Sequence, residues 1–225
     1  MKKIVLILLT LGFATSVFAQ NTETRKLKSF TSLSVSEGIE VNLIKGSSTQ
    51  AVITAKGMDL EEVLTEVSSG TLKIHLDGNN HNNVDVTIDL TYQTLESIRA
   101  SSAAEVHSTS VIESNIFVIK ASSAAEVMIK IKTKQLDVEA SSAAEITVSG
   151  SADSQKVDVS SASEYKAFEL ISKVANVSAS SAAEAKVNVS DELDASASSG
   201  AEVKYKGNPD KIREHSSSGG DVTQY

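Results

Sequence analysis

The chain has 225 residues, a formal net charge of −8 at pH 7 and no cysteine. An acidic chain disfavours nucleic acid and anionic membranes as partners, and the lack of cysteine excludes disulfides and lipid attachment to an N-terminal cysteine. Aromatic residues make up only 4% of the chain and tryptophan is absent, so we expect a core of Val, Ile, Leu and Ala.

The first 19 residues have the pattern of a secretory signal peptide. Two lysines precede an apolar run from Ile4 to Phe13, and Val17 and Ala19 occupy the small-residue positions before a cleavage site. A membrane anchor is the weaker alternative, because the run is shorter than the ~20 residues of a spanning helix. We therefore predict an exported protein that is periplasmic, on the cell surface or extracellular, and not a lipoprotein. Residues 20–29 are predicted to form an N-terminal linker.

Residues 30–97 are predicted to form the irregular first coils of a larger core. Residues 59–67, DLEEVLTEV, fit either a short helix or a further strand. A separate N-terminal domain is the alternative for this part of the chain. Clusters of Gly, Ser or Asn, which favour turns, separate the strand-like stretches. These stretches are 29–46, 50–57, 70–78 and 83–100.

A motif of small residues followed by an acid recurs seven times in the rest of the chain. Its copies are SSAAEV twice, then SSAAEI, SSASEY, SSAAEA, SSGAEV and SSGGDV, and successive acids are 18 to 21 residues apart. Such a period indicates a solenoid in which each repeat forms one coil. The acids are Glu105, Glu126, Glu145, Glu164, Glu184, Glu202 and Asp221.

The segments between the motifs indicate strands. They alternate polar with β-branched residues, as in KVDVS (156–160) and KVNVS (186–190), which is typical of half-buried strands. A disordered linker needs no such alternation, and the period does not fit a helix. We therefore predict an all-β fold, a right-handed parallel β-solenoid with coils of about 19 residues. It forms a single domain over residues 30–225, with regular repeats over 98–225.

Three columns of the aligned repeats are apolar and predict the interior. They lie seven and five positions before the acid and one position after it. The first column ends in Glu214, which predicts that the last coil slips its register or frays. The acid lies between two inward positions, so alternation points it outward. Small residues such as Ala103 and Ala104 are then expected at the corner between two strands, where serines can bond to the backbone.

The outward acids are therefore predicted to form a ladder with rungs ~4.8 Å apart, which is a candidate binding surface. Adjacent carboxylates repel one another. Lys166, Lys186 and Lys204, each two positions after an acid, are expected on the same face and relieve part of this repulsion. Ca²⁺ bound between rungs is the alternative remedy, since carboxylate oxygens suit this ion. The sequence predicts no other cofactor or metal.

Three stretches carry a family resemblance: FTSLSVSEGIEVNL (30–43), DLEEVLTEVSSGTLKIHL (59–76) and VDVTIDLTYQTLESIRASSAAEV (84–106). They resemble the head GIN domain family of putative auto-transporter adhesins, which is common in secreted proteins of Bacteroidetes-type bacteria. The resemblance extends over residues 30–222. It implies an exported β-solenoid named as an adhesin, and it assigns no catalytic residues to this chain.

The chain is predicted to be an exported, non-enzymatic adhesin or a binding or structural module of the cell envelope. Its expected partner is a surface glycan or an envelope or matrix protein. A polysaccharide-active enzyme is the alternative, because such sites hold paired carboxylates in a groove. A groove lined by Tyr165, Lys166 and carboxylates outside the repeat pattern would favour the enzyme. The aromatic residues that could stack on sugar are Tyr92, Tyr165, Phe168 and Tyr205.

Overall fold

The computed structural model describes residues 21–78 and 83–225, so the predicted signal peptide lies outside the described residues. Within them the chain forms seventeen strands and one helical element, a 3₁₀ turn at Leu60–Glu62. No helix in these two ranges is long and apolar enough to cross a membrane. The strands are β1 (Asn21–Lys26), β2 (Ser32–Val35), β3 (Glu40–Lys45), β4 (Gln50–Lys56), β5 (Val63–Ser68), β6 (Thr71–Leu76), β7 (Asp85–Tyr92), β8 (Ser97–Ala100), β9 (Glu105–Glu113), β10 (Ile116–Ala121), β11 (Glu126–Ala140), β12 (Glu145–Val159), β13 (Glu164–Ala179), β14 (Glu184–Ser198), β15 (Glu202–Lys206), β16 (Lys211–Ser217) and β17 (Asp221–Gln224).

The regular part is a parallel stack in which β11, β12, β13 and β14 lie one above the other. The acid of each repeat pairs with the acid of the next, as Glu126 does with Glu145 and Glu145 with Glu164. Because this register holds, every motif position becomes a line of like residues parallel to the solenoid axis. The predicted all-β parallel β-solenoid is confirmed, with about 7 turns and coils of ~19 residues.

The three columns predicted to be interior are buried. In the first six repeats their residues are at most 4% exposed, as Ile119, Ala140 and Tyr165 illustrate. In the last coil Glu214 is exposed, yet it pairs in register with Ala195. The predicted register slip is therefore wrong. Glu214 is exposed because, among the described strands, β16 pairs with β14 alone and no coil covers its outer edge.

The corner at each serine pair is a tight turn with two left-handed residues, the second serine and the residue after it. Ser102 has a φ of 53° and Ala103 a φ of 60°, and the Ala104 N–H donates to the Ser101 carbonyl at 3.2 Å. The Ala103 N–H in turn donates to the carbonyl of Ser123 in the next coil at 2.9 Å. The same pair of bonds recurs at each later corner through Gly200, so the corners themselves form a hydrogen-bonded ladder.

These corners explain why the motif uses small residues. A left-handed conformation costs a residue other than glycine about 1–2 kcal/mol, and here the backbone ladder holds it in place. The residue after the left-handed pair points inward, and Ala104 and Ala125 are at most 1% exposed there. The corner backbone is thus paired with backbone rather than with serine hydroxyls; Ser163, whose Oγ donates to the Ala140 carbonyl at 3.0 Å, is an exception.

The N-terminal layers continue the same stack but end it differently. β2 and β3 pair in parallel with β8 and β9 on one side, and with β6 and β7 on the other. The next layer is antiparallel: β4 pairs with β7, and β5 with β6. Residues 59–67, for which the sequence left helix or strand open, form the 3₁₀ turn and β5. One hydrophobic core extends from Phe30 to Tyr205.

Residues 21–26 form β1 rather than part of the predicted linker. This strand pairs antiparallel with β4, from Asn21 opposite Ala55 to Lys26 opposite Gln50. It is polar and almost fully exposed, a composition that suits an edge strand and that sequence periodicity alone does not identify. β1 covers the otherwise unpaired edge of β4, so it completes the cap of this end of the solenoid.

Candidate functional site

The seven predicted acids lie in one line on the outside of the solenoid. Each pairs in register with the next along the axis, and all are exposed or half-buried. Glu40 extends the line by one rung, because it pairs with Glu105. The sequence carried a signal for this residue: SEGIEV (36–41) has the spacing of SSAAEV, with Gly38 at the place of Ala103.

Three lysines interleave with the acids in the C-terminal half of this line. The Nζ of Lys166 lies 2.7 Å from Glu145 Oε1 and 3.2 Å from Glu164 Oε2. Lys186 and Lys204 repeat the arrangement, with distances of 2.8 to 3.1 Å to the acids on either side. These contacts make one chain of alternating charge, which we call the Glu–Lys ladder: Glu145, Lys166, Glu164, Lys186, Glu184, Lys204 and Glu202.

The contacts within the Glu–Lys ladder shift the pKa values of Glu184 and of the lysines. Burial raises the pKa of Glu184, but hydrogen bonds from Lys204 and Lys186 outweigh burial and hold that pKa below its ordinary value. The hydrogen bond with Glu145 contributes most to the raised pKa of Lys166. For Lys186, burial lowers the pKa, but bonds to Glu164 and Glu184 raise it above its ordinary value overall. Glu184 is therefore negatively charged and Lys166 and Lys186 positively charged at neutral pH.

The N-terminal half of the line has no such lysines. The positions two after Glu105 and Glu126 hold His107 and Met128. His107 Nε2 lies 3.5 Å from Glu105 Oε2, and the Met128 side chain is 45% exposed. The acids of this half therefore depend mainly on solvent. Among residues 21–78 and 83–225, no group of three or more His, Cys, Asp or Glu residues is placed to hold a metal ion.

The tyrosines considered as sugar-stacking platforms are core residues. Tyr92, Tyr165 and Tyr205 are at most 5% exposed. The Tyr165 hydroxyl donates to Gln155 Oε1 at 3.1 Å, and Gln155 Nε2 donates to Ser172 Oγ at 2.7 Å, all inside the solenoid. Burial raises the pKa of Tyr165 far above its ordinary range. The groove with Tyr165 that would have favoured an enzyme is therefore absent from the described part of the chain.

Phe168 is the one aromatic candidate that reaches the surface. It is half-buried, and its ring centroid lies 5.1 Å from that of Tyr225. The Nζ of Lys206 lies 4.5 Å from the centroid of Phe168 and 5.2 Å from that of Tyr225. The ammonium group makes cation–π contacts with both rings, so the three groups contact one another rather than a ligand. They border the C-terminal end of the Glu–Lys ladder.

A second outward surface lies on the other side of the corners, where each strand reaches its motif. It is an open groove of about 650 Å³ that extends along the solenoid axis, and we call it the serine groove. Sequence analysis missed it because its charged positions do not repeat: they are basic in two coils and acidic in the next two. The signal in the sequence was the outward position two residues before the first serine of each motif, which holds a charged residue in the first four repeats. Its lining includes Arg99, Lys120, Glu139, Asp158 and Ser178, together with Ser101, Ser122, Ser141, Ser160 and Ser180.

Comparison with known proteins agrees with the architecture. The model of a family described as "Putative auto-transporter adhesin, head GIN domain" matches residues 29–209. A putative adhesin from Bacteroides fragilis NCTC 9343 superposes with a TM-score of 0.85 at 17% identity, covering 92% of this chain and 97% of the other. A putative adhesin from Parabacteroides distasonis ATCC 8503 gives 0.77 at 18% identity, with coverages of 93% and 98%.

A putative lipid binding protein, also from Parabacteroides distasonis ATCC 8503, is similar in fold. Its TM-score is 0.70 at 22% identity, and the coverages are 91% of this chain and 97% of the other. A comparison with curated proteins found no match. At these identities the solved structures show a shared fold.

Proposed function

The chain belongs to the family described as putative auto-transporter adhesin, head GIN domain, and from this premise we propose that it is an exported, non-enzymatic binding module. Its expected partner is a surface glycan or an envelope or matrix protein. Export rests on the signal-peptide pattern of residues 1–19. Solved structures with this fold, from Bacteroides fragilis and Parabacteroides distasonis, are also named as putative adhesins.

The observation that carries the proposal is the rigid presentation of polar side chains in lines. The Glu–Lys ladder holds seven charged side chains by contacts of 2.7 to 3.2 Å. Side chains that are already ordered lose little conformational freedom when a partner binds. The solenoid therefore offers an extended outer surface whose spacing is set by the coils, which suits a repetitive partner such as a polymer.

The test is binding of residues 20–225 to an array of glycans and matrix proteins, with calcium and with chelator. A ladder variant carries Glu145→Gln, Glu164→Gln and Glu184→Gln. A matched control carries Glu61→Gln, Glu62→Gln and Glu66→Gln, which lie in the N-terminal cap.

Specific binding by the wild type supports the proposed function, and loss of it in the ladder variant alone assigns the binding surface to the Glu–Lys ladder. Binding that requires calcium would point to an ion between rungs. Shortening of the bound glycan during the assay would instead support the polysaccharide-active enzyme. A wild type that binds nothing on the array in either condition would contradict the adhesin proposal.

A further inference from the structure

We infer that the serine groove binds a linear, β-linked glycan that lies parallel to the solenoid axis, with a carboxylate-bearing sugar over Arg99. The inference rests on the proposed binding function and names its ligand and its surface. The groove is separate from the Glu–Lys ladder, because it precedes the corner in every coil whereas the ladder follows it.

The floor of the serine groove is a row of hydroxyl groups. Ser101, Ser122, Ser141, Ser160 and Ser180 are half-buried and line it, one in each of five successive coils. Their backbone groups are already used: the Ser122 N–H, for example, donates to the Ala100 carbonyl at 3.1 Å. Within the described ranges no hydrogen bond from these five hydroxyls to a protein group is found. They are therefore free to bond to a ligand.

The spacing and chemistry of this row fit a sugar chain. The rungs are ~4.8 Å apart, and each monosaccharide of an extended β-linked glycan advances the chain by nearly the same distance. A serine hydroxyl both donates and accepts hydrogen bonds, as do the hydroxyls of a sugar. A glycan that follows the axis would therefore meet one serine per sugar over five coils.

The wall of the groove gives the ligand a direction. Arg99 and Lys120 lie at one end, and Glu139 and Asp158 follow on the next two coils. Lys120 Nζ contacts Glu139 Oε2 at 2.6 Å, and Asp158 lies 3.5 Å from Lys156. Arg99 is exposed and has no ion pair with another described residue. A carboxylate is therefore favoured at the Arg99 end alone, where a guanidinium can bind it through two hydrogen bonds.

Other polymers fit the groove less well. An extended peptide needs pockets for its side chains or an unpaired strand edge, and the strands that line the groove are paired with neighbouring coils on both sides. A nucleic acid would bring its phosphates against Glu139 and Asp158, which repel them. A sugar chain with few charges avoids both problems.

The test is calorimetric titration of residues 20–225 with three probes. They are a β-linked hexasaccharide with a single glucuronate at one end, a neutral cellohexaose, and an extended Gly/Ser peptide. The first probe has one carboxylate for Arg99 and none to lie over Glu139 or Asp158. Ser141→Phe blocks the middle of the floor. Its control is Ser149→Phe, at a half-buried outward position four residues after an acid, where the next coil carries Phe168. Arg99→Gln removes the free guanidinium.

We expect the wild type to bind both glycans and to favour the one that carries the glucuronate. Ser141→Phe should weaken binding of both by at least about tenfold, Ser149→Phe should leave it within twofold, and Arg99→Gln should weaken binding of the glucuronate-bearing glycan alone by about tenfold.

Unchanged glycan binding by Ser141→Phe would contradict the serine groove as the binding site. An equal effect of Arg99→Gln on both glycans would contradict the placement of the carboxylate at the Arg99 end. Binding of the peptide in preference to the glycans would also contradict the inference. If the protein binds a matrix protein on the array but none of these glycans, the inference fails while the proposed function stands. If it binds nothing at all, both fail.

Discussion

The N-terminal layers and the regular coils share one hydrophobic core but differ in the size of the side chains that fill it. The layers use bulky side chains, such as Leu33, Leu72 and Ile88, each at most 1% exposed. The regular coils place alanine or valine at most inward positions, as at Ala185 and Val187. Coils that stack in register place a small residue at each corner, such as Ala143 or Gly200, whereas the layers need not repeat and can vary their side chains.

The two ends of the solenoid differ as well. At the N-terminal end the antiparallel strands β4 and β5, with β1 outside them, cover the last parallel layer. At the C-terminal end β16 is exposed along its whole length and points Glu214 toward the core side. Paired strands and an inward charge are two ways to keep an edge from pairing with another chain. The structure uses the first at one end and the second at the other.

Core truncations should give the largest difference between the two regions. Leu72→Ala in the N-terminal layers should lower the free energy of unfolding by about 2–5 kcal/mol. Val157→Ala in the regular coils removes only two methyl groups and should lower it by roughly 1–2 kcal/mol. Both side chains are 0% exposed, so urea unfolding compares them directly. Equal losses would show that the bulky N-terminal core is no more closely packed than the coils.

Substitutions at the left-handed corner should change the free energy of unfolding in opposite directions in the two regions: glycine to alanine should lower it in the N-terminal layers, and alanine to glycine should raise it in the regular coils. Gly38 has a φ of 68° and open space around its α-carbon, so Gly38→Ala should destabilise by about 1–2 kcal/mol through the backbone alone. Ala143 has a φ of 60° at the equivalent position, so Ala143→Gly should stabilise by a similar amount. Thermal unfolding of the two variants measures both effects. Destabilisation by Ala143→Gly would mean that the alanine side chain makes a contact worth more than the strain.

Loss of a ladder lysine should have a smaller, pH-dependent effect. Lys186→Met should cost about 1 kcal/mol at neutral pH, since each half-exposed ion pair contributes little. The pKa of Glu184 is held below 4.5, so the contribution of its ion pairs is present above pH 4.5 and lost as the pH falls below it. The pKa of Lys186 is held above 10.5, so its contribution is present below pH 10.5 and lost as the pH rises further.

Urea unfolding of the wild type and Lys186→Met across this range measures the effect. The two proteins should converge in stability toward pH 3 and toward pH 12. A difference that stays constant from pH 3 to pH 7 would contradict a role for the Glu184 carboxylate.

A lysine added in the N-terminal half of the line of acids, outside the Glu–Lys ladder, should give the smallest effect. Met128→Lys places a lysine two positions after Glu126, as Lys166 follows Glu164. The new ammonium group would lie near Glu126 and near Glu105 of the preceding coil. It should stabilise the protein by about 0.2–1 kcal/mol, and more at low salt than at high salt. Met128→Gln is the uncharged control for the exposed methionine. Equal effects of Lys and Gln would show that the exposed apolar side chain, rather than the charge, limits stability there.

Much of the fold could be predicted because the repeat is local in sequence. The alternation around each acid identified the buried columns, including Ile119 and Val157, and it placed the corner at Ala103. The edge strand β1 could not be predicted, because its polar residues carry no buried face and it exists only by pairing with β4. Tyr92 and Tyr205, which were candidates for stacking on sugar, are buried, because an amphipathic ring is compatible with either side of a strand. Tyr165 was a candidate as well, although the repeat alignment had placed it in an interior column, where it lies.

The coil period and the parallel stack follow from the spacing of the repeats, and the outward direction of the acids follows from side-chain alternation within each strand, so all three can be predicted from the amino-acid sequence. Which charges meet depends on how the coils stack. The position of Lys166 between Glu145 and Glu164, and the change from Arg99 to Asp158 along the serine groove, arise when residues from successive coils stack. The antiparallel cap also depends on pairing between distant strands, which no local pattern encodes.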